Sequence, residues 1–226
     1  QAALERFPRG LESLKSEGGL NTYTYRGSPD PRGEGRRRLR ALALTQAAEA
    51  RSHLPDEPDE ALSKAAGVVV PAVRAKLLAE IARSVSQGEV ERVRSVLDRC
   101  KTLLDDLENP SDKIETWDVL IETAHRMGDE PRAWEFARFA MADATELYRS
   151  DTHKERPNRA LREFWPSTQG FRRIIYRCTK LFSVEAEPLL AKISDPDLAL
   201  LARIEMVQAL LGRDATPRSI SVSRGN

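Results

Sequence analysis

Apolar side chains recur at spacings of three and four along most of this chain, and proline or glycine interrupts them at intervals. A period near 3.6 places such residues in one stripe along a helix, whereas a half-buried strand needs a period of two. Behind Pro71 stand Val73, Leu77, Leu78, Ile81 and Val85, and after Glu89 stand Val93, Val96, Leu97, Leu103 and Leu104. Asn109-Pro110-Ser111 opens a run through Ile114, Trp117, Leu120, Ile121 and Ala124, and Gly128-Asp129 opens another through Ala133, Phe136, Ala137, Ala140 and Leu147. Phe171, Ile174, Ile175, Cys178 and Leu181 form a further stripe. Asp195-Pro196-Asp197 starts a last one through Leu198, Leu201, Ile204, Val207, Leu210 and Leu211. Proline at a first helical position, a side-chain N-cap and a left-handed glycine after the last turn are the start and stop signals of helices. The pattern predicts an all-α chain.

The two ends differ from this. Residues 1–35 hold Gly18-Gly19, Gly27, Pro29, Pro31, Gly33 and Gly35, a density that breaks helices and strands alike. They read as an irregular arm with at most a short helix over Ala3–Leu14. Thr22-Tyr23-Thr24-Tyr25 has strand-like composition but no second strand to pair it. The stripes begin after Arg36 and end at Gly212, so residues 36–212 are expected to form the helical domain. The Ser/Arg-rich segment 213–226 has no stripe and reads as a flexible tail. Within the domain, the polar, basic residues 150–165 interrupt the rhythm, with a helical turn expected over Arg159–Phe164.

The long runs stop at Gly88, Gly128 and Gly212, the first two 40 residues apart and the last two 84 apart. Helical hairpins at a period of 30–45 residues are the mark of α-solenoids, in which each hairpin buries its stripe against its neighbours. The stretch Trp117-x-x-Leu120, Gly128-Asp129, Ala133 and Ala140 resembles a tetratricopeptide unit. That family uses a large residue and Leu on the first helix, Gly-Asp at the turn and small residues on the second helix. Ile121 and Ala124 depart from it, standing where the motif prefers Gly and Tyr, and the unit around Gly88 has Val93 and Cys100 in the Ala positions. The resemblance implies stacked hairpins over about 70–212 whose first helices line a concave, partner-binding face.

Chemistry is sparse. His53, His125 and His153 are scattered, and none lies in a metal-binding arrangement. The acidic groups at 56–60 and 105–108 lack the alternating ligands and the glycine of a calcium loop. No phosphate-cradling or nucleophile-elbow motif occurs. Cys100 and Cys178 sit inside helical patterns and read as small buried hydrophobes. No enzyme activity, cofactor or metal is therefore expected. No apolar run approaches the roughly 20 residues of a membrane span. The chain begins with Gln1, which reads as a trimmed or processed end and leaves the compartment open, cytoplasmic or exported.

Charge is unevenly placed. Residues 1–51 carry ten Lys/Arg against six Asp/Glu (+4), residues 52–149 thirteen against twenty (−7), and residues 150–226 thirteen against nine (+4). The expected function is a protein-interaction scaffold that holds a peptide or protein in the groove. In the register set by Trp117 and Gly128, Asp118, Glu122 and His125 point into that groove, and Arg172 and Tyr176 on the helix at 166–182 are offered to the same surface. Two alternatives stand beside it. One is a helical accessory or regulatory domain of a larger protein. The other is nucleic-acid binding through Arg36-Arg37-Arg38-x-Arg40 and the basic stretch 154–180.

Overall fold

The protein is described by a computed structural model over residues 31–54, 56–85, 89–152 and 166–212. The expectations for residues 1–30, the Gly88 stop, the turn at 159–164 and the tail 213–226 lie outside these residues. All regular structure among the described residues is helical: α1 (Pro31–Ser52), α2 (Pro58–Ala66), α3 (Pro71–Ser84), α4 (Val90–Asp105), α5 (Pro110–Arg126), α6 (Glu130–Thr152), α7 (Pro166–Phe182), a 3₁₀ turn (Ser183–Ala186), α8 (Glu187–Leu190) and α9 (Pro196–Leu210).

The prolines act as start signals at α1, α2, α3, α5, α7 and α9. A first helical position has no intrahelical use for its N–H, so proline loses nothing there. The Asn109 side chain accepts from Ser111 N at 3.0 Å, and the Asp195 side chain accepts from Leu198 N at 2.9 Å. These bonds satisfy amides that the first turn leaves open. At the other end of α5, Gly128 has φ +73° and donates to His125 O, while Asp129 N donates to Ala124 O. That pair of bonds is a Schellman cap, and its left-handed residue favours glycine. Helix α1 begins at Pro31, before the stripe at Arg36. Its first turns include Gly33 and Gly35, and Glu34 and Arg38, one turn apart, pair on its exposed side.

Helices α1, α3, α5, α7 and α9 each pack on the next in that series, while α2 packs on α1 and α3, α4 on α3, and α6 on α5 and α7. The most extensive pair is α5 with α6. In it Trp117 and Leu120 are buried, and so are Ala133, Ala137, Ala140 and Ala144 at spacings of four, three and four on α6. Small side chains in that column let the backbones approach closely. Trp117 packs on Phe136 at 5.8 Å and on Phe139 at 5.7 Å, and its indole N–H donates to Asp143 at 2.6 Å. Trp134 stacks on Phe182 at 4.2 Å and so ties α6 to the end of α7. Cys100 and Cys178 are free and buried, and Cys100 donates to Ala75 O at 2.8 Å. Burial pushes both thiols up to about 12.

Candidate functional site

The carboxylates of α5 occupy one face because Glu115, Asp118 and Glu122 are spaced by three and four residues. The helices on either side present cations to that face. From α3, Lys76 bonds Glu115 and Arg83 reaches Glu122 at 3.9 Å. From α7, Arg173 reaches Glu115 at 3.4 Å, and Arg177 holds Asp118 through Nε at 2.7 Å and Nη2 at 3.3 Å while reaching Glu122 at 3.4 Å. The result is an anionic row between two cationic rows. Lys76 and then Arg173 lower the Glu115 carboxyl below its usual range, although burial opposes them. Burial pulls the Arg177 guanidinium down, but Asp118 and Glu122 outweigh it and the net direction is upward.

Beside this lattice, α1, α3 and α5 leave an open cleft of about 290 Å³. Leu44, Ala72 and Val73 line its apolar part, while Arg40, Arg51, Lys76, Asp112 and Glu115 stand around it. Arg51 is held by Glu80 at 2.6 Å. Burial raises the Asp112 carboxyl, with Arg40 pulling the other way. The cleft therefore offers apolar surface ringed by both signs of charge, which suits a ligand carrying both.

The five residues expected in the groove separate in the structure. Asp118 and Glu122 lie together, but their charges are engaged by Arg177 and Arg83. His125 is half-buried at the end of α5, with its ring edge-on to Phe182 at 5.7 Å and its Nδ1 buried without a hydrogen-bond partner. Arg172 does not share the surface of Asp118. Its side chain turns to α9, where Nε bonds the buried Glu205 at 2.5 Å. The α7 residues that meet the acidic row are Arg173 and Arg177, because residue 172 lies about 100° around the helix from 173. Tyr176 is half-buried, with Lys180 over its ring at 5.5 Å. The described cations of the basic stretch, Arg172, Arg173, Arg177 and Lys180, thus all have intramolecular partners. Those at 154–162 lie outside the described residues.

Sequence reasoning missed Lys76 and Arg83, and gave Arg177 and the cleft-facing Arg40 only within the two basic stretches read for nucleic acid. One signal for Arg177 was present: Arg173 and Arg177 repeat at four residues, matching the spacing of the α5 carboxylates with opposite sign. Among the described residues no group of three or more His, Cys, Asp and Glu side chains is placed to hold one metal ion. No described helix is long and apolar enough to cross a membrane. Comparison with protein-family models, with curated proteins and with solved structures finds no match in any of the three.

Proposed function

We propose that the chain is a protein-interaction scaffold, a tetratricopeptide-like α-solenoid that binds an extended peptide of mixed charge along the face of α1, α3, α5 and α7. The observation that carries this reading is the cleft between α1, α3 and α5, where Leu44, Ala72 and Val73 are bordered by Arg40, Arg51 and Lys76 on one side of the charge balance and Asp112 and Glu115 on the other. An apolar side chain seated there would supply affinity, and the surrounding charges would set register and orientation. Beyond the cleft the peptide would run over Asp118 and Glu122. The charges of Asp118 and Glu122 are already held by Arg177 and Arg83, so cationic groups of the ligand would compete with these pairs.

The series of contacts from α1 through α3, α5 and α7 to α9 supports the solenoid reading, since stacked hairpins put their first helices side by side. The test is selection of short random peptides displayed on phage against the chain, followed by titration of the winners against the Arg40→Glu/Lys76→Glu variant. The expectation is enrichment of peptides carrying both charge signs around an apolar anchor. The double variant should weaken them at least tenfold, more at low salt than at high. Winners that bind the folded variant as tightly as the native chain would reject the cleft as the site.

A further inference from the structure

Helix α9 carries apolar side chains on two opposite faces, with the exposed Arg203 and the half-buried Gln208 between them. Leu198, Ala202, Met206 and Ala209 are buried on the side toward the rest of the fold, and the Glu205 carboxylate also turns inward, to Arg172. The opposite side carries Leu200, Ile204, Val207 and Leu211, exposed by 60%, 45%, 54% and 65%, with Leu210 beside them at 45%. A helix with apolar side chains on two opposite faces suits two neighbours, and among the described residues α9 packs on α7 and α8, both on its buried side. The other end of the series differs: α1 exposes Arg37, Arg38, Arg40 and Glu49 around its Leu42 and Leu44. A polar outer face is what the last element of a helical stack needs to remain apart from other molecules, and α9 does not have one.

We infer that this face of α9 is the interface of a homodimer, in which two copies pair their α9 helices antiparallel about a twofold axis. The spacing of the stripe carries the inference. Leu200, Ile204, Val207 and Leu211 are separated by four, three and four residues, the seam of a coiled coil. That spacing reads the same in both directions. With the axis between Ile204 and Val207, Leu200 meets Leu211 of the second copy, Ile204 meets its Val207, and both contacts recur in reverse. A twofold interface requires that self-complementarity.

Two such helix faces bury on the order of 1,000 Å² together, at the low edge of stable interfaces, so the dimer is expected near a micromolar dissociation constant. Sedimentation equilibrium of the intact chain from about 1 to 200 µM measures it. The dimer should form across this range, and Ile204→Glu/Val207→Glu should weaken it at least 100-fold with an unchanged circular-dichroism spectrum. A second variant reads the register: Ile204→Cys/Val207→Cys should give a covalent dimer on mild oxidation. Cys100 and Cys178 are buried and stay silent in that experiment. A monomer at every concentration overturns the proposal and leaves the face to another occupant, such as the Leu4, Phe7, Leu11 and Leu14 stripe of the N-terminal segment or a different protein. A dimer that survives Ile204→Glu/Val207→Glu overturns it as well, and a dimer without the cross-link overturns the antiparallel register. None of these outcomes bears on the peptide cleft, which lies on other helices.

Discussion

Replacing Arg172 by Met removes the partner of a carboxylate that has almost no other contact with water. Glu205 is 1% exposed, its Oε1 is held by Arg172 Nε at 2.5 Å, and its Oε2 has no hydrogen-bond partner. The Arg172 side chain is 19% exposed. The two halves of this pair are therefore unequal. Methionine keeps most of the aliphatic stem of arginine, so packing changes little and the loss is mainly electrostatic. It leaves an uncompensated buried anion, for which breaking a buried pair typically costs about 3–5 kcal/mol. The partial exposure of Arg172 shows that water reaches one side of the pair, and about 2–4 kcal/mol is the better expectation here. The converse change, Glu205→Leu, leaves a cation that can turn toward solvent and puts an apolar group into an apolar site. It should cost about 1 kcal/mol or less, and Arg172→Met/Glu205→Leu should recover most of the loss, since well-packed apolar replacements of buried pairs are often neutral. Urea denaturation of the four proteins at neutral pH gives the complete cycle. If Glu205→Leu destabilises more than Arg172→Met, or if the double variant is as unstable as Arg172→Met, the pair is not acting through an unmatched buried charge and this reasoning fails.

Other expectations follow from the same physics. Asp118→Lys/Glu122→Lys strips Arg177 of both partners and sets like charges beside it, so it should lower stability by about 1–3 kcal/mol, read as a shift in the urea midpoint. Burial raises the Asp143 carboxyl above its ordinary range against the opposing Trp117 N–H and Lys113, so its favourable contribution is complete below the unfolded carboxylate range and fades as pH rises through the folded one. Asp143→Asn, which still accepts from Trp117, should therefore gain on the native protein as pH rises from the ordinary carboxylate range through the raised folded one, and thermal melts showing the opposite slope would count against it. With both thiols pushed up to about 12 and buried, iodoacetamide at mildly alkaline pH should label neither Cys100 nor Cys178 in the folded chain and both in urea. Gly128→Ala meets no neighbouring atom but must hold φ +73°, so it should cost about 1 kcal/mol, measured by the same melts.

The helices were readable because their signals are local. Pro58, Pro71, Pro110 and Pro196 each stand at the first turn of a helix, and Asn109 and Asp195 cap theirs with side-chain oxygens. The stripe Ile114, Trp117, Leu120, Ile121 and Ala124 is buried residue for residue. The start of α1 was hidden by Gly33 and Gly35, because the Glu34–Arg38 contact across the turn is worth only tenths of a kcal/mol and leaves no apolar mark. After Phe182, a 3₁₀ turn over Ser183–Ala186 precedes a single helical turn ending at Leu190. Ser183 holds φ +55° there, a left-handed conformation that no glycine announced.

The candidate site was less readable for a geometric reason. Asp118 and Glu122 were placed on one face from spacing alone, and they share it, but spacing within one helix says nothing of what the next helix brings opposite. A rotation of one residue on α7, about 100°, separates Arg172, which turns to Glu205, from Arg173 and Arg177, which turn to α5. The register of α7 is fixed by its apolar residues: Gly170 lies against Ile114 at 3.3 Å from an added Cβ, and Phe171, Ile174, Ile175 and Cys178 are buried. That close approach of α7 to α5 is what carries Arg173 and Arg177 onto the acidic row. Two charge patterns on separate helices thus become one paired lattice when the helices pack. The cleft by Arg40 lies beside this lattice and shares Lys76 and Glu115 with it, so its apolar floor of Leu44, Ala72 and Val73 is bordered by charge that is itself partly paired.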